Sequence, residues 1–280
     1  MSSRNIALTG IPRSGTTLCC NLLGQAADTV ALFEPMPVHQ LPVDHALAAD
    51  VIADYFAQSR RELLEGGTAS SQQVGGLVPD NPFGNERDAS GQRVRQAHLG
   101  KITVDKPLSP QFTLVIKHNA AFTALLDVLA LRFDCYAVIR NPLSVLASWN
   151  SVALPVASGR LPAGERLDPA LAARLDEEPD VLERQLLLLD WLFARFGKMV
   201  PDERIIRYEE VVGSQGAALA RITGVAVPPL PLRSRNSSAL YDVQACARYA
   251  ERLLAHPGPW RGFYQPDDVM AALAELQERA

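Results

Sequence analysis

The chain has 280 residues, 48% of them hydrophobic, with a formal net charge of −4 and four cysteines. That is enough apolar material for one α/β domain with a full core, and the acidic balance excludes a global nucleic-acid-binding field, so any anion site must be local. No stretch approaches the roughly 18 uninterrupted apolar residues of a membrane span. No charged start and apolar signal run precedes the first predicted strand, so the expectation is a single cytoplasmic domain over 1–280. Cys19, Cys20, Cys135 and Cys246 show neither CxxC nor metal-ligand spacing and are read as buried thiols of a reducing compartment, with no metal site.

In chain order, Asn5–Thr9 reads as a strand and Thr16–Gln25 as a helix ending near Gly24. Between them runs Gly10-Ile-Pro-Arg-Ser-Gly15-Thr16-Thr17, with the G-x-x-x-x-G spacing of a Walker A loop but Thr16 where that loop carries Lys. Glycines permit close backbone approach, and a helix N-terminus offers free N–H donors and a positive dipole end. The loop therefore reads as a phosphate cradle. Its missing Lys argues against ordinary ATP or GTP hydrolysis, and Arg13 brings a cation from inside the loop instead.

Val30–Phe33 reads as a short strand leading into Glu34-Pro35, and Asp44–Leu64 as an amphipathic helix stopped by Gly66-Gly67. Thr68–Gly100, rich in Ser, Gln, Gly and Pro, reads as one long loop, either a functional cover or a disordered segment. Phe112–Ile116 is a strand and Ala120–Leu131 an apolar helix, with Asn119 a candidate N-cap. Cys135–Ile139 is a buried strand ending on Arg140-Asn141-Pro142, and Pro142 opens a helix through Trp149. Ser151–Pro179 reads as loop-rich. A helix over Asp180–Met199, a strand over Arg204–Arg207, a helix from Glu209, the turn-rich Val227–Ser238 and two helices, Ala239–Ala255 and Asp267–Arg279, complete the chain. Trp191 falls among leucines and reads as core. The alternation predicts an α/β fold: a three-layer, mostly parallel sheet covered on both faces. Right-handed crossovers would bring Arg13, Lys117 and Arg140 to one edge.

Three segments carry a family resemblance: Pro12-Arg-Ser-Gly-Thr-Thr-Leu18, Tyr136-Ala-Val-Ile-Arg140-Asn-Pro-Leu-Ser-Val-Leu-Ala-Ser148, and Arg204-Ile-Ile-Arg-Tyr208-Glu-Glu-Val-Val212. Together they resemble the sulfotransferases that use 3′-phosphoadenosine 5′-phosphosulfate (PAPS), nearer the carbohydrate and tyrosyl-protein type than the cytosolic small-molecule type. The resemblance covers the nucleotide scaffold, about half the chain, and not Tyr55–Gly100 or the C-terminal tail. It implies a P-loop NTPase-like sulfotransferase fold, PAPS as co-substrate and no metal. It also implies that Arg13, Ser14, Gly15, Thr16 and Thr17 hold the 5′-phosphosulfate, and that Arg140 and Ser148, eight residues apart, hold the 3′-phosphate. Tyr208 resembles the strand-end Tyr near the adenine. Arg233 or Arg235, in the late turn with Ser237, would reach the 3′-phosphate. The physics agrees with the resemblance: PAPS has two anionic ends, a helix-opening loop suits one, and a forked guanidinium suits the other.

Sulfuryl transfer needs a base for the acceptor proton and cations where charge builds on the leaving oxygen. Two residues compete as base. Glu34, in Phe33-Glu34-Pro35, resembles the Glu segment of the carbohydrate type; His118, in Ile116-Lys117-His118-Asn119, resembles a Lys-Thr-His segment of the cytosolic type with one residue missing. Lys117 is the candidate leaving-group stabiliser, and Lys106, in Asp105-Lys106-Pro107, is its rival. His39 and His45 flank a proline-containing loop and are candidates for lining the acceptor site. The expected acceptor group is a hydroxyl, with an amine second to it, on a glycan or small molecule and leaning toward a sugar, between insertions over about 35–110 and 151–178. The alternatives are a P-loop-type kinase, which wants Lys directly before Thr17 and a carboxylate for magnesium, and a non-catalytic nucleotide-binding protein.

Overall fold

In a computed structural model the protein is described over residues 4–87, 93–232 and 241–278. In chain order the elements are β1 (Arg4–Gly10), α1 (Thr16–Leu23), β2 (Thr29–Phe33), α2 (His45–Gly66), β3 (Thr68–Gln73), β4 (Phe83–Arg87), β5 (Arg93–Arg95) and β6 (His98–Thr103). Then come β7 (Thr113–Lys117), α3 (Ala120–Ala124), α4 (Leu126–Leu129), β8 (Asp134–Ile139), α5 (Pro142–Trp149), α6 (Pro162–Leu167), α7 (Pro169–Glu177) and α8 (Val181–Met199). The chain continues through β9 (Ile205–Arg207), α9 (Tyr208–Gly213), α10 (Ala220–Thr223), α11 (Val243–Ala255) and α12 (Pro266–Gln277).

The central sheet has strand order β2-β7-β1-β8-β9, and every neighbouring pair in it is parallel. Its strands are apolar on both faces, as a sheet covered on both sides requires. Alternate residues feed two cores. Ala7, Leu32, Ile116 and Ala137 point into the larger core with α2, α3, α5 and α8; Leu8, Phe33, Val115 and Val138 point into the smaller one with α1 and α9. The result is the three-layer α/β architecture expected from the alternation of elements. Because the strands are parallel, β1, β2, β7, β8 and β9 all end at one edge. The residues that follow them are the loop at Arg13, Glu34, His118, Arg140 and Tyr208.

Helix boundaries follow local chemistry. The Asp44 carboxylate accepts from the Leu47 N–H at the start of α2, and Gly67, at φ 62°, closes its end. The Asn141 side chain caps α5, with Pro142 in its first turn, and Asp180 caps α8.

Three expectations are corrected. The stretch 68–103 is strand-bearing: β3 pairs antiparallel with β6, and β4 with β5. The inward positions of β3 are Ala69, Ser71 and Gln73, so its period of two is written in small and polar residues rather than apolar ones. Ser71 ties this layer to the main sheet, its Oγ accepting the Phe33 N–H at 3.0 Å. The run 120–131 breaks at Leu125 into α3 and α4, and the Asn119 side chain makes no cap. The stretch 151–179 holds α6 and α7, each begun by a proline.

Candidate active site

The loop after β1 is shaped by two glycines. A Cβ on Gly10 would lie 2.4 Å from the Val138 carbonyl oxygen, and one on Gly15, at φ 86°, would lie 2.5 Å from the Tyr208 ring. Ser14 points inward rather than lining the cleft. Its N–H donates to the Ile11 carbonyl at 3.0 Å and its hydroxyl to the Val138 carbonyl at 2.8 Å. Ser14 therefore locks the loop to β8, and the expectation that it presents donors to a phosphate is corrected. Thr16 and Thr17 open α1, where N–H groups have no acceptor within the helix. Together with Gly15 they line a cleft of about 1110 Å³.

Arg13, Arg140, Ser148 and Tyr208 converge on the same cleft. The Arg13 Nε donates to Ser148 Oγ at 3.2 Å, and its guanidinium lies 4.8 Å from the Phe83 ring. Arg140, 5% exposed, donates to the Arg13 carbonyl at 3.1 Å and stacks 4.7 Å from the Tyr208 ring. The Trp149 indole donates to the Pro12 carbonyl at 2.7 Å, holding α5 against the loop. Ser148 thus sits on the cleft because Pro142 and Asn141 start α5 where they do.

The second cluster stands on β2 and β7. Lys117, only 2% exposed, donates to Glu34 Oε1 at 2.7 Å, and its ammonium lies 4.6 Å over the Phe33 ring. Arg95 approaches the other Glu34 oxygen at 3.6 Å. Burial pushes the Glu34 carboxyl up. Lys117, by charge and by hydrogen bond, and Arg95 outweigh it and hold the group below its ordinary value. His118 is 4% exposed, and burial pushes its imidazole down to about 4. The Met36 N–H donates to its Nε2 at 3.3 Å. The neutral ring therefore carries its proton on Nδ1, and its lone pair is occupied by backbone.

Arg13 and Glu34 share a backbone peculiarity: both are non-glycine residues at positive φ, 71° and 42°. Such conformations cost about 1–3 kcal/mol each and persist where the surroundings over-determine them. At Glu34 the surroundings are visible: its N–H donates to the Lys117 carbonyl at 2.9 Å, so backbone and side chain both pair with one lysine.

Other candidates fall elsewhere. Lys106 donates to the carbonyls of Gly24 and Ala26 at 2.6 and 2.7 Å, so it caps the end of α1 and does not serve the cleft. His45 is tied to Asp127 and to the Leu167 carbonyl. His39 is exposed and borders the cleft. Trp191 is core, its indole donating to Asp168 at 2.8 Å. The four cysteines are free and buried. Arg233, Arg235 and Ser237 lie outside the described residues. Arg95 and Phe83 were not foreseen. The signal for Arg95 was Arg93-Val94-Arg95, a period of two inside a segment read as a loop. Among the described residues no helix is long and apolar enough to cross a membrane.

No family model matches the chain, and no curated protein matches it. Among solved structures it is similar to a sulfotransferase from Alicyclobacillus acidocaldarius, at 12% identity and TM-score 0.42, over 100% of this chain and 98% of that one. It is also similar to the sulfotransferase domain from the curacin biosynthetic pathway, at 15% identity and TM-score 0.41, over 99% and 98%. A sulfotransferase from Mycobacterium tuberculosis H37Rv matches at 15% identity and TM-score 0.34, over 100% and 76%.

Proposed function

We propose that the protein transfers a sulfuryl group from PAPS to an acceptor hydroxyl. One observation carries the reading: the residues expected at the two anionic ends of the donor meet in one cleft, with Arg13 hydrogen-bonded to Ser148 and Arg140 to the Arg13 carbonyl. The Glu34–Lys117 pair lines the same cleft. The N–H groups of Gly15, Thr16 and Thr17 suit the 5′-phosphate end, and Arg140 with Ser148 suits the 3′-phosphate.

The acceptor oxygen forms a bond to sulfur. The bond from sulfur to the bridging oxygen breaks, and its electron pair leaves on 3′-phosphoadenosine 5′-phosphate. Arg13 and Lys117 supply positive charge for that oxygen. Glu34 takes the acceptor proton. It is favoured over His118 because the imidazole lone pair is already engaged by the Met36 N–H, whereas Glu34 is ionised and 28% of its side chain is exposed.

Ligand-dependent stability tests the reading against a kinase. At ~100-fold excess over its dissociation constant, 3′-phosphoadenosine 5′-phosphate should add ~2.7 kcal/mol, roughly 5 °C in melting temperature for a chain of this size. ATP with magnesium should add nothing. Stabilisation by ATP and magnesium alone overturns the proposal.

A further inference from the structure

The cleft lined by Glu34 and Lys117 also has an apolar wall, made of residues to which the sulfuryl-transfer reading gives no part in holding the donor. Met36 and Val38 come from the segment after β2, Ala121 from α3, and Leu154, Val156 and Leu161 from the stretch before α6. Met36, Ala121, Val156 and Leu161 are buried in the protein, and Val38 and Leu154 are half-buried. The wall is fastened. Arg166 on α6 donates to the Val38 and Leu41 carbonyls at 3.1 and 2.5 Å, joining α6 to the segment after β2.

Two polar groups beside this wall are committed. The His118 Nε2 takes the Met36 N–H, and Arg160 pairs with Glu165 at 2.5 Å and with Asp176 at 2.6 Å. His39, Gln72, Asn81, Asn119 and Tyr241 also border the cleft, and the Asn119 Oδ1 is buried with no hydrogen-bond partner among the described residues, which suits it to orient a hydroxyl. A sugar ring brings several hydroxyls, each of which loses water on entry and needs a partner. This wall offers methyl and methylene groups instead, which favour apolar surface and cannot repay that loss. We propose that the acceptor is an alcohol on an apolar body, alkyl or aryl, laid against this wall with its hydroxyl toward Glu34. The proposal rests on the sulfuryl-transfer reading and replaces the sugar expected from sequence.

The test compares butan-1-ol through octan-1-ol, 2-naphthol and methyl β-D-galactoside as acceptors with PAPS. KM should fall about two- to fourfold per added methylene until the wall is covered, and the galactoside should not be sulfated. The naphthol arm separates aryl from alkyl acceptors. Leu154→Glu should raise KM for octan-1-ol at least ~10-fold, with Leu154→Asn as the milder variant and the melting transition of each as the check on folding. Fluorescence of 2-naphthol, displaced by octan-1-ol in the absence of PAPS, reads acceptor binding by itself. Binding there without any sulfate transfer upholds the apolar wall and removes the sulfuryl-transfer reading. Sulfation of the galactoside with kcat/KM at or above that of octan-1-ol overturns the proposal and leaves transfer intact. Failure of both alcohols to bind or react also overturns it.

Discussion

On the sulfuryl-transfer reading Glu34 takes the acceptor proton, and its surroundings make its behaviour predictable. A carboxylate held by Lys117 and Arg95 ionises readily, which keeps it ready to take a proton but weakens it as a base. Glu34→Gln should cut turnover by ~10²–10⁴-fold while stabilisation by 3′-phosphoadenosine 5′-phosphate persists. Arg95→Gln removes one cation from the carboxylate, so its pKa should rise. The acid limb of the kcat/KM–pH profile should then move to higher pH, a change that a purely structural role for Arg95 would not produce. His118 offers a separate test through stability. Its folded-state pKa of about 4 lies below its ordinary 6.5, so the unfolded chain binds the extra proton between those values. Folding stability from this group is present above pH 6.5 and is lost as pH falls toward 4. Denaturant midpoints of His118→Asn measured across that window should fall less steeply than those of the unsubstituted protein.

At the scale of elements, the loop after β1 depends on contacts a single methyl would break. Gly15→Ala places a carbon inside the Tyr208 ring's space and forces an alanine to φ 86°. It should displace Tyr208 and with it the surface on which Arg140 stacks, abolishing the thermal shift with 3′-phosphoadenosine 5′-phosphate. Lys106→Met should cost about 1–3 kcal/mol by leaving the Gly24 and Ala26 carbonyls without their donor, without changing turnover per folded molecule. This second variant separates Lys106 from Lys117, which the sequence left as rivals. The difference in legibility has a physical origin. The strands of the central sheet are continuous apolar runs ending on charged or turn residues, and a run of that kind reads directly. Asp44, Asn141 and Asp180 announce helix starts through their own side chains. β3 turns Ala69, Ser71 and Gln73 inward, so its alternation carries no hydrophobic contrast, and the strand bearing Arg95 is three residues long with its one apolar residue, Val94, exposed, so it carries none either. Lys106 was ambiguous because a lysine before a proline can cap a helix or face a ligand, and only the path of the chain chooses.

At the scale of the whole molecule, one parallel sheet gathers groups from five distant parts of the chain to a single rim. Residues as far apart as Arg13, Glu34, Lys117, Arg140 and Tyr208 become neighbours because each follows or ends a strand pointing the same way. Two cores hold that sheet from opposite sides, so the rim stands on the buried centre of the fold. The contact of Arg13 with Ser148, and of its carbonyl with Arg140, has a further consequence on the sulfuryl-transfer reading. On that reading, one of the two cations at the breaking bond is spliced to the groups that grip the far handle of the donor. A donor lacking the 3′-phosphate would then leave that splice slack. Adenosine 5′-phosphosulfate should bind more weakly and also turn over more slowly once bound, so that the handle acts as a checkpoint on the reaction as well as a grip, read in the kcat of saturated enzyme.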